Sequence, residues 1–524
     1  MTVRTLIAFL IIALAGTAQA QSDFARQVVT SDGPSSVSVT VYRDPNRDSA
    51  RAMNLNYLNG YALITEQRTV TLPAGEVDLR FEGVAGGIIP QSAIVTGLAE
   101  GVLEKNRDAA LLSPSALLNG HIGRGVTVKR TSAVTGRTEE YSANIRTDAR
   151  NGVVIQTADG FEALRCTGLN EALIYPEIPE GLSAKPTLSV KTIVRQTTRA
   201  TVTLSYLATG FDWQANYVAD VSEDGETMNL FSWVTLANSD ETSFRDAQTN
   251  AVAGQPNKGR DNIQRPTGGA IALRCWPQAT TSDIAVKRFE RARDESRFRG
   301  QPLPAPMMAM EAESDMVALG SAKQVQAKQE ELGDLKLYRI PVPVTIASKS
   351  QKQVAMFEKQ AVPFKQLYET EVGVAGYGNS GTLFTTLRLQ NDKQNRLGLA
   401  LPAGKLVAFK EASNARLLLG EGNLDDKAIG EEVEIRIGNS QQVRFAVDQV
   451  NQSEGDDRKY RDFELTLTNA LAQPASIELK LSHGDRERLT KVSKRLGRKD
   501  GKPLWKVTIP ANGSSTLRYR VNFR

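Results

Sequence analysis

Cysteine and histidine are nearly missing from this sequence. Its 524 residues include only Cys166 and Cys275, and only His121 and His483. Two cysteines cannot staple a disulfide-dense scaffold, and no H-x-x-x-H pair is present to start a zinc site of the usual spacing. No G-x-S-x-G nucleophile elbow occurs. Charge of one sign is also missing: 64 basic residues face 59 acidic ones, for a net charge of +5. That balance gives no reason to expect a nucleic-acid partner, and no run of like charge forms a polybasic arm. Long apolar runs are absent beyond the first residues, so no later segment can span a bilayer as a helix.

The amino terminus reads MTVRTLIAFLIIALAGTAQA. Arg4 gives a positive start, Leu6 to Ala15 form the apolar stretch, and Ala18-Gln19-Ala20 match a small-residue cleavage pattern. The expectation is a signal peptide over residues 1–20, cut before Gln21, and a mature chain that is periplasmic, secreted or at the cell surface. In an oxidising compartment an even cysteine pair points to one disulfide, Cys166–Cys275, with two buried thiols as the alternative.

The dominant period after that is two. Val37, Val39 and Val41 alternate with Ser38, Thr40 and Tyr42, and Val77, Leu79 and Phe81 alternate with Asp78 and Arg80. Pro73-Ala74-Gly75, Pro402-Ala403-Gly404 and Pro510-Ala511-Asn512-Gly513 each sit between apolar runs, and read as hairpin-like turns. Short strands at Val126–Thr131, Glu139–Thr147, Gly152–Thr157 and Phe161–Cys166, broken by Asn-Gly and Asp-Gly, predict a small SH3-like barrel. Residues 254–330 break the pattern, being rich in Arg, Gln, Pro, Gly and Met, and read as a partly disordered insertion. Its basic residues between Lys287 and Arg299 are diluted by Glu290, Asp294 and Glu295, as on a solvated segment. Helix signals are scarce, with Gln324–Leu332 a short candidate.

The expected fold is therefore mainly β: a multi-domain antiparallel β-sandwich architecture with a small SH3-like β-barrel module and a flexible insertion. The divisions are 21–110, 111–187 for the small module, 188–253, 254–333 for the insertion, and 334–524.

The stretch GFDWQANYVADV, residues 210–221, holds two carboxylates around aromatic side chains. Phe211, Trp213, Ala215, Tyr217, Ala219 and Val221 share one face of a strand, and Asp212, Gln214, Asn216 and Asp220 the other. Along a straight strand the two aspartates lie roughly 26 Å apart. A glycosidase pair needs about 5–9.5 Å, so these two are not one. Gly376 to Gly381 match G-x-G-x-x-G by letter but precede a strand rather than a helix. Asp44, Asn46 and Asp48 begin like a calcium loop, but Ser49 and Leu55 stand where Gly and Glu are needed. Trp276, beside Cys275, is the tryptophan most open to solvent on this reading.

The run TVTLSYLATGFDWQANYVADV, followed by WVTLANSDETSFRDAQTNAVAG, resembles the mucoidy-inhibitor-A-like family of secreted proteins of unknown function. The carriers are Ser205, Tyr206, Gly210, Trp213 and Tyr217, then Asn238 and Gly254. Residues 60–95 resemble that family's amino-terminal domain, and the chain from about residue 335 the rest of its β-rich carboxy-terminal domain. Heptads between the two domains are lacking here, and the small β module stands in their place. The resemblance implies a structural role for the motif residues and a link to the cell envelope or exopolysaccharide.

The functional expectation is an exported, non-enzymatic scaffold, adhesion or interaction factor of the envelope, with no catalytic, cofactor-binding or metal-ligating residues. Its partners are then envelope proteins or polysaccharide. The alternative is a glycan-binding or glycan-cleaving protein whose acidic and aromatic side chains converge only in three dimensions.

Overall fold

The computed structural model describes residues 27–48, 51–108, 111–131, 135–148, 152–164, 170–179, 182–254, 256, 259, 326–376, 378–412, 415–453 and 460–523. It is a mainly β protein, as the period-two pattern leads one to expect, with five sheets among the described residues. Cys166, Cys275, Trp276, the signal sequence, the basic cluster and most of the insertion lie outside the described residues.

An amino-terminal sheet orders Gln27–Thr30, Gly75–Glu82, Thr187–Val194 and Glu104–Asp108. A broad sheet runs Lys328–Leu332, Leu335–Arg339, Phe244–Ala253, Ser36–Tyr42, Tyr61–Leu72, Thr198–Thr209 and Ile94–Thr96. Strands from both sides of residue 188 thus share one sheet. A central sheet orders Ser350–Pro363, Thr227–Asn238, Phe211–Val221, Gly404–Ala412 and Ala415–Leu424. These three sheets bury one continuous core, from Val39 and Ile64 through Trp213 and Tyr217 to Leu406, joined by Leu387, Leu389, Val433, Ile435 and Ile437 of the carboxy-terminal sheet.

The carboxy-terminal sheet of nine strands has a second core, which includes Phe463, Leu479, Trp505 and Leu517. Its longest strand, Glu432–Gln452, pairs with Ser380–Gln390 along its first part and with Tyr460–Asn469 along its second, with register shifts on both sides. Bulges of this kind bend a strand and let one sheet curl over itself.

The small module keeps its own core around Leu118, Val128, Ile145 and Ile155. Its strands lie in the order Gly160–Ala163, Val154–Thr157, Thr138–Ile145, Gly125–Thr131, Asn170–Ile174. A four-strand meander with the fifth strand antiparallel to the first is the order of an SH3-like barrel.

Three local expectations are corrected. The Pro73-Ala74-Gly75 and Pro510-Ala511-Asn512-Gly513 turns are arches between sheets or sheet ends, not hairpins, and Pro402-Ala403-Gly404 is no reversal, since Leu401 pairs with Lys427 in the same antiparallel register as Gly404 with Leu424. Tyr61–Leu72 pairs in the broad sheet and Gly75–Glu82 in the amino-terminal one. Lys502–Ile509 and Ser514–Phe523 lie near opposite ends of the nine-stranded order, although only Pro510–Gly513 separate them. The turn residues fix a reversal of direction; core packing decides which neighbour is met. Second, Lys328–Leu332 is a strand, not the end of a helix. It pairs with Leu335–Arg339 across a tight turn with Gly333 at φ 60°, and Arg339 reaches Glu330 at 3.0 Å. Third, a helix that strand-like alternation does not signal runs Pro114–Gly120. Ser113 caps it by accepting from the Ala116 N–H at 3.2 Å, with Pro114 at the start and Leu118 facing the small core.

Not every ladder is antiparallel. Phe244–Ala253 runs parallel to Ser36–Tyr42, Gly404–Ala412 to Phe211–Val221, and Ala475–Ser482 to Lys365–Gly373. Each of these later strands follows a stretch of one pattern: Leu236-Ala237-Asn238, Leu389-Gln390-Asn391 and Leu467-Thr468-Asn469. In all three the leucine and the asparagine are buried. The Asn391 amide donates to the carbonyls of Leu399 and Ala428, both at 2.8 Å, and its oxygen accepts from the Gly398 N–H at 3.2 Å. The Asn469 amide donates to Gln473, Ile509 and Pro510, and its oxygen accepts from the Leu471 N–H at 3.0 Å. An arch carries backbone groups that no strand partners, and a buried asparagine supplies both donor and acceptor for them.

Candidate interaction surface

The motif residues Tyr206, Gly210, Trp213, Tyr217 and Asn238 are all buried. Phe211–Val221 buries Phe211, Trp213, Ala215, Tyr217, Ala219 and Val221, the face expected. Trp213 donates its indole N–H to the Val252 carbonyl at 2.9 Å, tying the central sheet to the broad one. The Tyr217 hydroxyl donates to the Pro402 carbonyl at 2.5 Å. The Tyr206 hydroxyl donates to Glu66 at 2.7 Å and accepts from the Ala85 N–H at 3.1 Å. Burial first, and then the Glu66 carboxylate, push the Tyr206 hydroxyl well above its ordinary pKa, so it stays a donor. Asn238 donates to the carbonyls of Thr242 and Ala347 at 2.9 and 3.1 Å, and Gly210 takes φ 92° at the turn before the strand.

The two aspartates of that strand part company. Asp212 is buried and held by Arg47 at 3.0 Å and by the backbone N–H groups of Asp44 and Trp213. Burial pushes its carboxyl up, against the pull of Arg47. Sealed in this way, it is closed off from solvent. Asp220, at the other end, pairs with Arg416. The Asp44–Asp48 turn is capped internally, with Asp44 accepting from the Asn46 N–H at 2.9 Å and Asp48 from the Arg51 N–H at 2.9 Å. Among the described residues no cluster of three or more His, Cys, Asp or Glu side chains is arranged to hold a metal. No helix among them is long and apolar enough to cross a membrane.

Around the Val221–Thr227 turn three hollows adjoin, of about 350, 560 and 380 Å³. The first two share Glu223; the last two share Phe364, Lys365, Arg388 and Lys506. They form one polar groove between the central and carboxy-terminal sheets. Its best-buried carboxylate is Glu478, which accepts from Arg388 at 2.9 and 2.5 Å and pairs with Lys506 at 3.0 Å. The Arg388 hydrogen bonds hold its pKa at about 2. It is a fixed charge near neutral pH, not a proton donor.

One apolar feature stands apart. Ala415–Leu424 is the outermost strand of the central sheet, and Leu417, Leu418 and Leu419 on it are 52, 59 and 41 % exposed. The strand pairs with Gly404–Ala412 on one side; among the described residues no strand pairs with its other edge. From Gly420 onward it is covered: a Cβ at Gly420 would meet the Ile437 carbonyl oxygen at 1.8 Å. The open part is therefore short and carries three adjacent leucines. Bare edges and contiguous exposed apolar side chains are the features that partners use. The signal was visible in the sequence, since three leucines in a row between Arg416 and Gly420 break the alternation that a half-buried strand requires.

Comparison with known proteins finds no family profile that matches the chain and no curated protein that matches it.

Proposed function

We propose that this chain is an exported, non-enzymatic interaction protein of the cell envelope, a scaffold or adhesion factor that works through its sheet edges. The observation that carries the reading is the leucine-bearing edge Ala415–Leu419, where three consecutive leucines are exposed on a strand whose outer edge no described strand pairs. Strand addition supplies main-chain hydrogen bonds for affinity, and side chains on either face supply choice of partner. The amino-terminal signal pattern supports export. The resemblance to the mucoidy-inhibitor-A-like family supports an envelope setting.

The test is in-cell cross-linking of the exported protein with mass spectrometry of the adducts. The expected result is reproducible envelope proteins, cross-linked through residues 415–421. Adducts confined to other surfaces would overturn the assignment to this edge.

A second reading, glycan binding, draws on the polar groove, where Gln366, Tyr368 and Gln473 lie beside Lys365 and Lys506. Amide, phenol and ammonium groups together suit the hydroxyls and acidic groups of a polysaccharide. Co-purification of polysaccharide without protein adducts would favour it.

A further inference from the structure

The edge strand is complementary to itself, and the geometry points to a second copy of this chain as its partner. This rests on the edge-binding reading and names the occupant.

The side chains can be assigned to faces from the pairing with Gly404–Ala412. Leu406 and Ala408 face the core, so Lys405, Val407, Phe409 and Glu411 face outward. Arg416 pairs with Glu411, Leu418 with Phe409 and Glu421 with Val407. Arg416, Leu418 and Glu421 therefore share the outer face. Strict alternation would put Arg416 and Glu421 on opposite faces. They coincide because the register slips between Ala408 and Phe409, leaving Leu419 as an extra, bulged residue. The assignment agrees with Arg416 stacking over the Phe409 ring at 4.5 Å and pairing with Asp220, which lies opposite Phe409 on the next strand.

Antiparallel pairing of two such edges has its two-fold axis perpendicular to the sheet, so each residue must meet one from the same face. With the axis at Leu418, Leu418 faces Leu418 of the second copy. Leu417 then faces the Leu419–Gly420 bulge, and Arg416 faces Glu421. The bulge makes up the odd residue, so Arg416 comes opposite Glu421 on the outer face in both halves, where its guanidinium turns from Asp220 toward the second copy, while the leucines cluster at the centre. A bulge ordinarily discourages edge pairing; here it brings the charges into register. Gly420 and Gly422 are covered on the inner face by Glu432–Gln452, which confines the contact to the open segment. A contact this short falls below the roughly 1,200 Å² of a standard interface, so the dimer is weak, on the order of micromolar.

The experiment is sedimentation of the full mature chain from about 1 to about 200 µM, a range set by that weak class of interface. The wild type is expected to dimerise reversibly. Glu421→Arg sets like charges opposite each other and is expected to weaken the dimer roughly tenfold. Adding Arg416→Glu to it restores opposite charges and the affinity. Leu418→Lys, a charge on the axis, abolishes the dimer. Thermal melts of each variant verify folding. A monomer throughout the range overturns the proposal, as does a double variant no tighter than Glu421→Arg alone.

A photo-cross-linking residue at position 418, used in cells, separates this proposal from the reading beneath it. A homodimer adduct supports self-pairing. An adduct with a different envelope protein alone overturns self-pairing and leaves edge binding standing. No adduct at all removes both.

Discussion

At the scale of single residues, the polar side chains with the most work to do are the buried asparagines at strand ends. Asn469 satisfies three carbonyls and one N–H across two arches, those of residues 470–474 and 510–513. Asn469→Ala leaves these groups buried without partners, at about 1–3 kcal/mol for each group stranded. The expected outcome is a loss of roughly 2–4 kcal/mol by chemical denaturation, at the upper range for point variants. Asn469→Asp keeps the acceptor but loses the donor, and is expected to rescue little. Of the three asparagines only Asn238 was singled out from sequence, through its motif. Asn391 and Asn469 were readable from the repeated Leu-x-Asn pattern, but their partners lie as far away as Ala428 and Pro510. A local scan sees the residue and not the carbonyls that it serves.

At the scale of elements, strands were legible and their neighbours were not. The Phe211–Val221 face and the small meander followed from alternation and from Asn-Gly or Asp-Gly turns. The parallel pairing of Gly404–Ala412 with Phe211–Val221 did not, because those segments are about 190 residues apart in the chain and no local signal joins them. Packing at that ladder is tight: a Cβ at Gly404 would meet the Ala215 carbonyl oxygen at 2.0 Å. Gly404→Ala is therefore expected to destabilise by about 2–4 kcal/mol, in the range of overpacked core sites. Gly373→Ala and Gly438→Ala have open space around the added methyl and no left-handed backbone. They are expected to stay within about 0.5 kcal/mol of wild type. Equal losses at all three positions would show that the close approach at Gly404 has no special weight.

At the scale of the whole molecule, acid has a direction. Glu478 titrates at about 2 in the folded protein against an ordinary 4.5, because Arg388 and then Lys506 favour its ionised form. A carboxylate with a depressed folded pKa contributes stability that is present above its unfolded pKa and lost as pH falls through the folded one. Denaturation midpoints are therefore expected to fall between pH 4.5 and 2, and Glu478→Gln to flatten that part of the profile. Asp462, beside Arg520, and Asp500, beside Lys480, are shifted the same way and add to the loss in the carboxy-terminal sandwich. The sequence by itself determined the β class, the strands, their buried faces and the internal place of Trp213 and Tyr217, since each depends on alternation within one segment. Tertiary structure alone decided that the turns at Pro73 and Pro510 are arches, which strands run parallel, and that Arg416 and Glu421 share a face. The reason is physical: a turn fixes only the direction of the chain. The partner that a strand meets is chosen by burial across the whole core, and one bulged residue such as Leu419 reverses which side every later residue faces.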